Sequence, residues 1–220
     1  MKKLLRLPFL LLLVWSCKTN EENYEIQGQI EIANGTTIFR IAADDNNQPK
    51  ILDSVAVKEG SFMIKGPIEE LDINFIQIQG QPGNFPIILE GGKIQVTLYK
   101  DSLSASIAKG TISNDDFMKY KDETKAYIKS INSIGNEMQQ ALILKDSILL
   151  MDLRSEYDGV RQQIQDYEIN FIKNNTNSYV SALILERFVA SKSLVKDSLE
   201  QLYKKFSDRI KNTPSGRGIE

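Results

Sequence analysis

The sequence predicts an α+β fold: an N-terminal antiparallel β-sandwich or barrel of about eight strands, then an α-helical region with a long antiparallel helical hairpin. Three observations predict it. From Tyr24 to Ala108 apolar residues recur largely at every second position, the period of a half-buried strand. Turn residues separate these short segments, as they must where strands reverse. From Ser113 onward apolar residues recur at alternating steps of three and four, the spacing of one helix face.

The first sixteen residues stand apart. Lys2, Lys3 and Arg6 precede an apolar run from Leu7 to Val14, and small Ser16 precedes Cys17. This is the layout of a cleavable secretory signal, and the run is far short of the roughly 20 residues a membrane-spanning helix needs. Val14-Trp15-Ser16-Cys17 resembles the bacterial lipobox, which implies a lipid on Cys17. Several acyl chains on one residue anchor a protein stably, where one would be marginal. Residues 1–16 are therefore expected to be a signal peptide and residues 17–23 a polar tether.

Residues 24–112 are expected to form the β domain. Tyr24, Ile26, Gly28, Ile30 and Ile32 alternate with polar residues, and Asn34-Gly35 follows as a strong hairpin signal. Thr37 to Ala43 returns, and Asp44 to Lys50 reads as a polar loop. Asp53, Val55 and Val57 lead through Lys58-Glu59-Gly60 to Phe62 and Ile64. Asn74 to Gln79 makes another strand, and Phe85 to Leu89 and Lys93 to Tyr99 flank Gly91-Gly92 as a further hairpin. Ser104 to Ala108 would close the sheet.

Residues 113–211 are expected to be helical. Ser113 to Asp116 fits a capping box. Phe117, Tyr120, Thr124, Tyr127, Ile131, Ile134 and Met138 line one seam; Leu150, Leu153, Tyr157, Val160, Ile164, Tyr167 and Phe171 line a second. Asp146 is a natural N-cap between them, and two facing seams joined by a short connection predict the hairpin. Tyr179 to Val189 reads as a short apolar helix, and Asp197 as the cap of a last one reaching Ile210. Residues 212–220, with Pro214, Gly216 and Gly218, read as a linker-like tail.

Composition restricts the chemistry. The chain has no histidine, so the commonest general base and metal ligand are missing. Its single cysteine allows no internal disulfide, CxxC pair or cysteine zinc site. The net charge of −2 becomes −5 once Lys2, Lys3 and Arg6 leave, with 24 basic against 29 acidic residues. No basic cluster offers a footprint for nucleic acid.

Several segments resemble the DUF4369 domain of Bacteroidetes envelope proteins: Tyr24-Glu-Ile-Gln-Gly28, Asp53-Ser-Val-Ala-Val-Lys-Glu-Gly-Ser-Phe62, Phe85-Pro-Ile-Ile-Leu-Glu-Gly-Gly92 and Gly110-Thr-Ile-Ser-Asn114. In that family the domain usually precedes a helical segment and then a thioredoxin-like domain of the kind found in envelope thiol-disulfide oxidoreductases. The sequence departs from the pattern, because the thioredoxin-like domain and its CxxC are absent. The family's redox activity is thus carried over to no residue here, and the chain is expected to be a truncated or a stand-alone relative.

Other candidate chemistry reduces to ordinary structure. Asp44-Asp45-Asn46-Asn47 begins like a calcium loop, but Pro49 and Val55 stand where an EF-hand needs Gly and Glu. Gly91-Gly92 lacks the following Lys-Ser/Thr of a phosphate loop. Tyr120, Tyr127, Tyr157 and Tyr167 are expected in the helical core with hydroxyls at its edge. One pattern is less ordinary: Ser54, Ser102, Ser147 and Ser198 each follow Asp and precede an aliphatic residue. This matches the site at which some Bacteroidetes O-glycosylate exported proteins, making these serines candidate acceptors.

The expectation is a non-catalytic, lipid-anchored envelope protein, outer-membrane and facing the periplasm, that acts as a spacer or interaction module. It would use no cofactor and no metal, bind no nucleic acid, and meet a protein partner or a second copy through a sheet edge or the helical region. The alternative is a small-ligand or glycan-binding lipoprotein using the open face of the sandwich.

Overall fold

The alternation read from Tyr24 onward puts Tyr24, Ile26, Gly28 and Ile30 on one buried face of the first strand, as the twofold strand period requires. The computed structural model describes residues 22–44 and 48–219. The signal peptide, Cys17 and Asp45 to Asn47 lie outside the described residues. Eight strands follow one another: β1 (Asn23–Ile30), β2 (Thr37–Ala43), β3 (Pro49–Ala56), β4 (Ser61–Pro67), β5 (Asp72–Ile78), β6 (Phe85–Leu89), β7 (Gly92–Leu98) and β8 (Ile107–Lys109). They form two four-stranded sheets, ordered β4-β1-β7-β8 and β3-β2-β5-β6. The architecture is a sandwich and no barrel closes. Ile26 and Ile94 from the first sheet and Ile38, Ile76 and Ile87 from the second share its core without solvent exposure.

The turns read as hairpins from the sequence serve a different purpose. Asn34-Gly35 links β1 to β2, and Glu90-Gly91 links β6 to β7, yet each pair lies in different sheets. Both turns therefore cross the sandwich. In consequence β1 pairs with β7 in parallel, Ile26 opposite Ile94, while every other named strand pairing is antiparallel. A tight turn reverses the chain equally well within a sheet or between two; the choice is made by which buried faces meet. The loop after Asp44 does join a true hairpin, β2 with β3, and the Asp44 carboxylate accepts from the Gln48 N–H at 2.8 Å.

The helices are α1 (Ile112–Leu144), α2 (Ser147–Asn174), α3 (Tyr179–Ser191), α4 (Lys196–Tyr203), α5 (Asp208–Lys211) and α6 (Pro214–Arg217). At 33 residues α1 is about 50 Å long. It turns back through Lys145, in the left-handed region at φ 58°, and Asp146 caps α2 by accepting from the Leu149 N–H at 3.0 Å. Ile134, Ala141 and Leu153 fill the outer seam of this antiparallel pair. The helix α3 is buried through Tyr179, Val180, Ala182, Ile184, Leu185 and Phe188.

Three local readings are corrected. Thr111, in extended conformation, precedes α1; Ser113 lies inside the helix and is fully buried, so Ser113 to Asp116 is no capping box. Asp197 falls in the first turn of α4, which starts after Val195 and stops at Tyr203, so no single helix reaches Ile210. The tail is no linker either. Thr213 accepts from the Gly216 N–H at 3.1 Å, and Pro214 occupies the first turn, where its missing N–H costs nothing. Gly216 lets α6 approach so closely that a Cβ would sit 2.1 Å from the Ile210 carbonyl oxygen.

Gly28 shows why the first sheet tolerates glycine in mid-strand. It lies opposite Phe62, whose ring occupies the place of the missing side chain, with three ring atoms 1.9 to 2.5 Å from where a Cβ would be. We expect Gly28→Val to expel the Phe62 ring and destabilise the fold by about 3 kcal/mol, read as a lower urea midpoint. An unchanged midpoint would mean that the ring can move freely.

Candidate functional site

The junction between sandwich and helices is made where β6 ends. As an outer strand β6 pairs on one side only, with β5, which leaves backbone groups on its other side to be satisfied. Asn114, fully buried in the first turn of α1, does this for Ile88. Its Oδ1 accepts from the Ile88 N–H at 3.0 Å, and its Nδ2 donates to the Ile88 carbonyl at 2.7 Å. The same Nδ2 also donates to Thr111 Oγ1 at 2.8 Å. The amide thus substitutes for a neighbouring strand.

Two residues on, Glu90 is buried, and its Oε2 accepts from the Ser113 N–H at 2.8 Å. A carboxylate there answers both a free helix N–H and the positive end of the helix dipole. Its other oxygen pairs with Arg209 of α5, so one side chain joins β6, α1 and α5. Beside this clasp lies a cleft of about 990 Å³, bordered by Tyr24, Lys65, Lys93, Asp115 and Arg209.

A second buried carboxylate organises the helices. Glu168 of α2 is 2% exposed. It accepts from the Tyr120 hydroxyl at 2.5 Å and pairs with Arg187 of α3 at 2.5 Å. The rings of Tyr120, Tyr167 and Phe171 pack at 5.6 to 6.2 Å, and the Tyr167 hydroxyl donates to Glu123 at 2.5 Å. Burial, and then the hydrogen bond to Glu168, push the Tyr120 phenol well above its ordinary value of 10.0. Burial and Glu123 do the same for Tyr167, and burial for Tyr179, whose hydroxyl lies between Asp72 and Ser215. The partners of these groups are structural ones: each carboxylate holds an element in place.

The candidate acceptor serines are scattered. Ser54 lies exposed on the outer strand β3, Ser102 is exposed in the turn after β7, Ser147 is exposed at the start of α2, and Ser198 is half-buried in α4. They share no pocket. Among the described residues no group of three or more His, Cys, Asp or Glu is placed to hold a metal ion, and no helix is long and apolar enough to cross a membrane. Glu90, Asn114, Glu168, Arg187 and Arg209 escaped the reading of the sequence. Only Glu90 and Asn114 had a signal there, since both fall within segments that carried the family resemblance.

The chain is thus defined as a two-sheet sandwich clasped to a helical arm. Residues 24–117 match the family described as "Domain of unknown function (DUF4369)". No curated protein matches the chain, and no solved structure matches it. The match takes in the strands from Tyr24 of β1 to the end of β8 and ends at Phe117, six residues into α1. Its far end lies just beyond Asn114, the residue that makes the first turn of α1 part of the sandwich.

Two outcomes follow. Asn114→Ala leaves the Ile88 N–H and carbonyl unpaired in a buried place and should cost about 3 kcal/mol; Asn114→Asp keeps the acceptor but sets a buried carboxylate oxygen against the Ile88 carbonyl, so at neutral pH it should cost at least as much, both by urea unfolding. The raised tyrosines give the pH dependence its sign. A phenol that ionises later in the folded state than in the unfolded one contributes stability present in full below pH 10.0 and lost as pH rises beyond it. Unfolding midpoints measured upward from pH 9 should fall, and Tyr120→Phe should flatten the fall.

Proposed function

We propose that the chain is a non-catalytic, lipid-anchored cell-envelope protein that serves as a spacer and docking module. Its lipid is carried by Cys17, at the outer membrane facing the periplasm. This is the role of the segment that stands before a thioredoxin-like disulfide oxidoreductase domain in the proteins it resembles. The observation that carries the reading is the rooted arm: α1 extends about 50 Å and α2 about 40 Å, and the base of α1 is clasped by Asn114, Glu90 and Arg209. A rod fixed at one end presents its other end at a set place, which is what a docking module needs. Among the described residues the buried carboxylates are held by Arg187, Arg209 and Tyr120, an arrangement suited to rigidity.

A second reading, a small-ligand or glycan-binding lipoprotein, is favoured by the cleft beside Glu90 and Arg209. It replaces the open sandwich face as the place such a ligand would occupy. Native mass spectrometry of the purified chain decides between them, since a retained small molecule would favour the ligand reading.

The anchor has its own test. Cys17→Ala should abolish incorporation of labelled palmitate and move the chain from the membrane fraction to the soluble one. Palmitate incorporation that survives the substitution would sink the anchor. The intact mass of the native chain reads the serines in the same measurement: added hexose supports modification at Ser54, Ser102, Ser147 or Ser198, and its absence removes that proposal.

A further inference from the structure

The free end of the helical hairpin carries a cluster of exposed apolar side chains on either side of its turn. Leu142, Ile143 and Leu144 close α1, and Ile148, Leu149 and Met151 open α2; Ile143, Leu144 and Ile148 are 79%, 75% and 72% exposed. The fold has no use for these side chains. The seam between the helices is already filled at this end by Ala141 and Leu153, with Met138 and Leu150 beside them. Other large exposed apolar residues among those described are spread over β3, β4, the turn after β7, the start and the middle of α1 and the loop before α4. The tip collects on the order of 600 Å² of bare apolar surface, the upper end of what a monomer leaves to water.

We propose that this surface receives a second copy of the chain, two hairpin tips docking about a twofold axis. The proposal rests on the reading of the hairpin as a docking arm and names its partner. Complete burial of both tips would reach about 1,200 Å², the lower bound of a standard specific interface, which suits a weak and reversible contact.

Charge supports the same occupant. The turn between the apolar runs carries Lys145 and Asp146, adjacent and opposite; no ion pair joins either to another described residue, and the Asp146 carboxylate keeps one oxygen beyond its cap bond from the Leu149 N–H. A twofold axis through the turn would set Lys145 of one copy beside Asp146 of the other and the reverse, the self-complementarity an isologous contact requires. A lipid surface fits less well. Entering tip-first would drive both charges into hydrocarbon ahead of the apolar side chains, at about 3 kcal/mol each. The outer part of the hairpin also stands clear of the sandwich. The nearest contacts of α1 outside its partner helix are with β6, β8 and α3, around its base. Two tips can therefore meet without the domains colliding.

The test uses the full lipidated chain in dodecyl maltoside, with the protein mass resolved from detergent by light scattering. The wild type should show twice the chain mass with a micromolar dissociation constant. Ile143→Asp combined with Met151→Asp should weaken association at least about thirtyfold. Both residues are exposed, so the thermal midpoint should stay put and separate lost docking from lost folding. Ser147→Cys should form a disulfide between chains under copper-phenanthroline, and Lys50→Cys on β3 should not. A wild type of single mass, or a double variant that stays dimeric, overturns the proposal. So does a monomer whose tip-attached fluorophore is shielded by phosphatidylglycerol and phosphatidylethanolamine vesicles, which would assign the tip to lipid. A monomer that still takes up palmitate loses the dimer and keeps the anchor; a dimer without palmitate does the converse.

Discussion

The structure depends on the bond between the Asn114 side chain and the backbone of Ile88. An outer strand must either face water or be covered, because an unpaired buried N–H or carbonyl costs about as much as a hydrogen bond is worth. Here the sandwich hands its unpaired edge at Ile88 to the first turn of a helix, where one amide supplies both a donor and an acceptor. This fixes α1 to the sheet, and Ser113 and Glu90 follow from it. With the helix start pinned beside β6, its free N–H finds the Glu90 carboxylate, and Arg209 brings α5 to the same place.

The clasp separates two regimes of packing. Inside the sandwich, stability comes from isoleucines that interdigitate across two sheets, an arrangement that follows once the strands alternate. Around α3, helices meet through apolar side chains interrupted by Glu168, which is held by Arg187 and Tyr120. Breaking one partner of such a buried pair is costly, while the intact pair contributes little net stability. Its value lies in specifying how α1, α2 and α3 sit against one another. Farther out the hairpin has only its own narrow seam, so its end is the part of the molecule least committed to the fold.

Much of the fold was legible because it rests on periodicity. The twofold alternation from Tyr24 and the three-four spacing from Phe117 locate strands and helices without knowledge of their neighbours, and Asp146 marks a cap through its own side chain. Legibility failed where the outcome depends on a distant partner. Asn34-Gly35 and Gly91-Gly92 announce turns truthfully and say nothing about which sheet the next strand joins. Pro214 and Gly216 resemble linker residues, yet the first suits an opening helical turn and the second a close approach to Ile210. The candidate site was less legible than the fold. Glu168 and Arg209 look like surface charges until the chain brings Tyr120, Arg187 and Glu90 against them.

By itself the sequence determined the α+β class, the change from strands to helices near Ser113, the hairpin with its cap at Asp146, and the absence of histidine chemistry. Each is a property of composition or of spacing within a few residues. Only the tertiary structure decided that β1 runs parallel to β7, that Asn114 completes the edge of β6, that Glu90 and Glu168 are buried and paired, and that the tail folds. These are contacts between residues 19 to 119 positions apart, or between backbone groups that no side-chain pattern records. Their energy exists only once hydrophobic burial has brought both partners out of water.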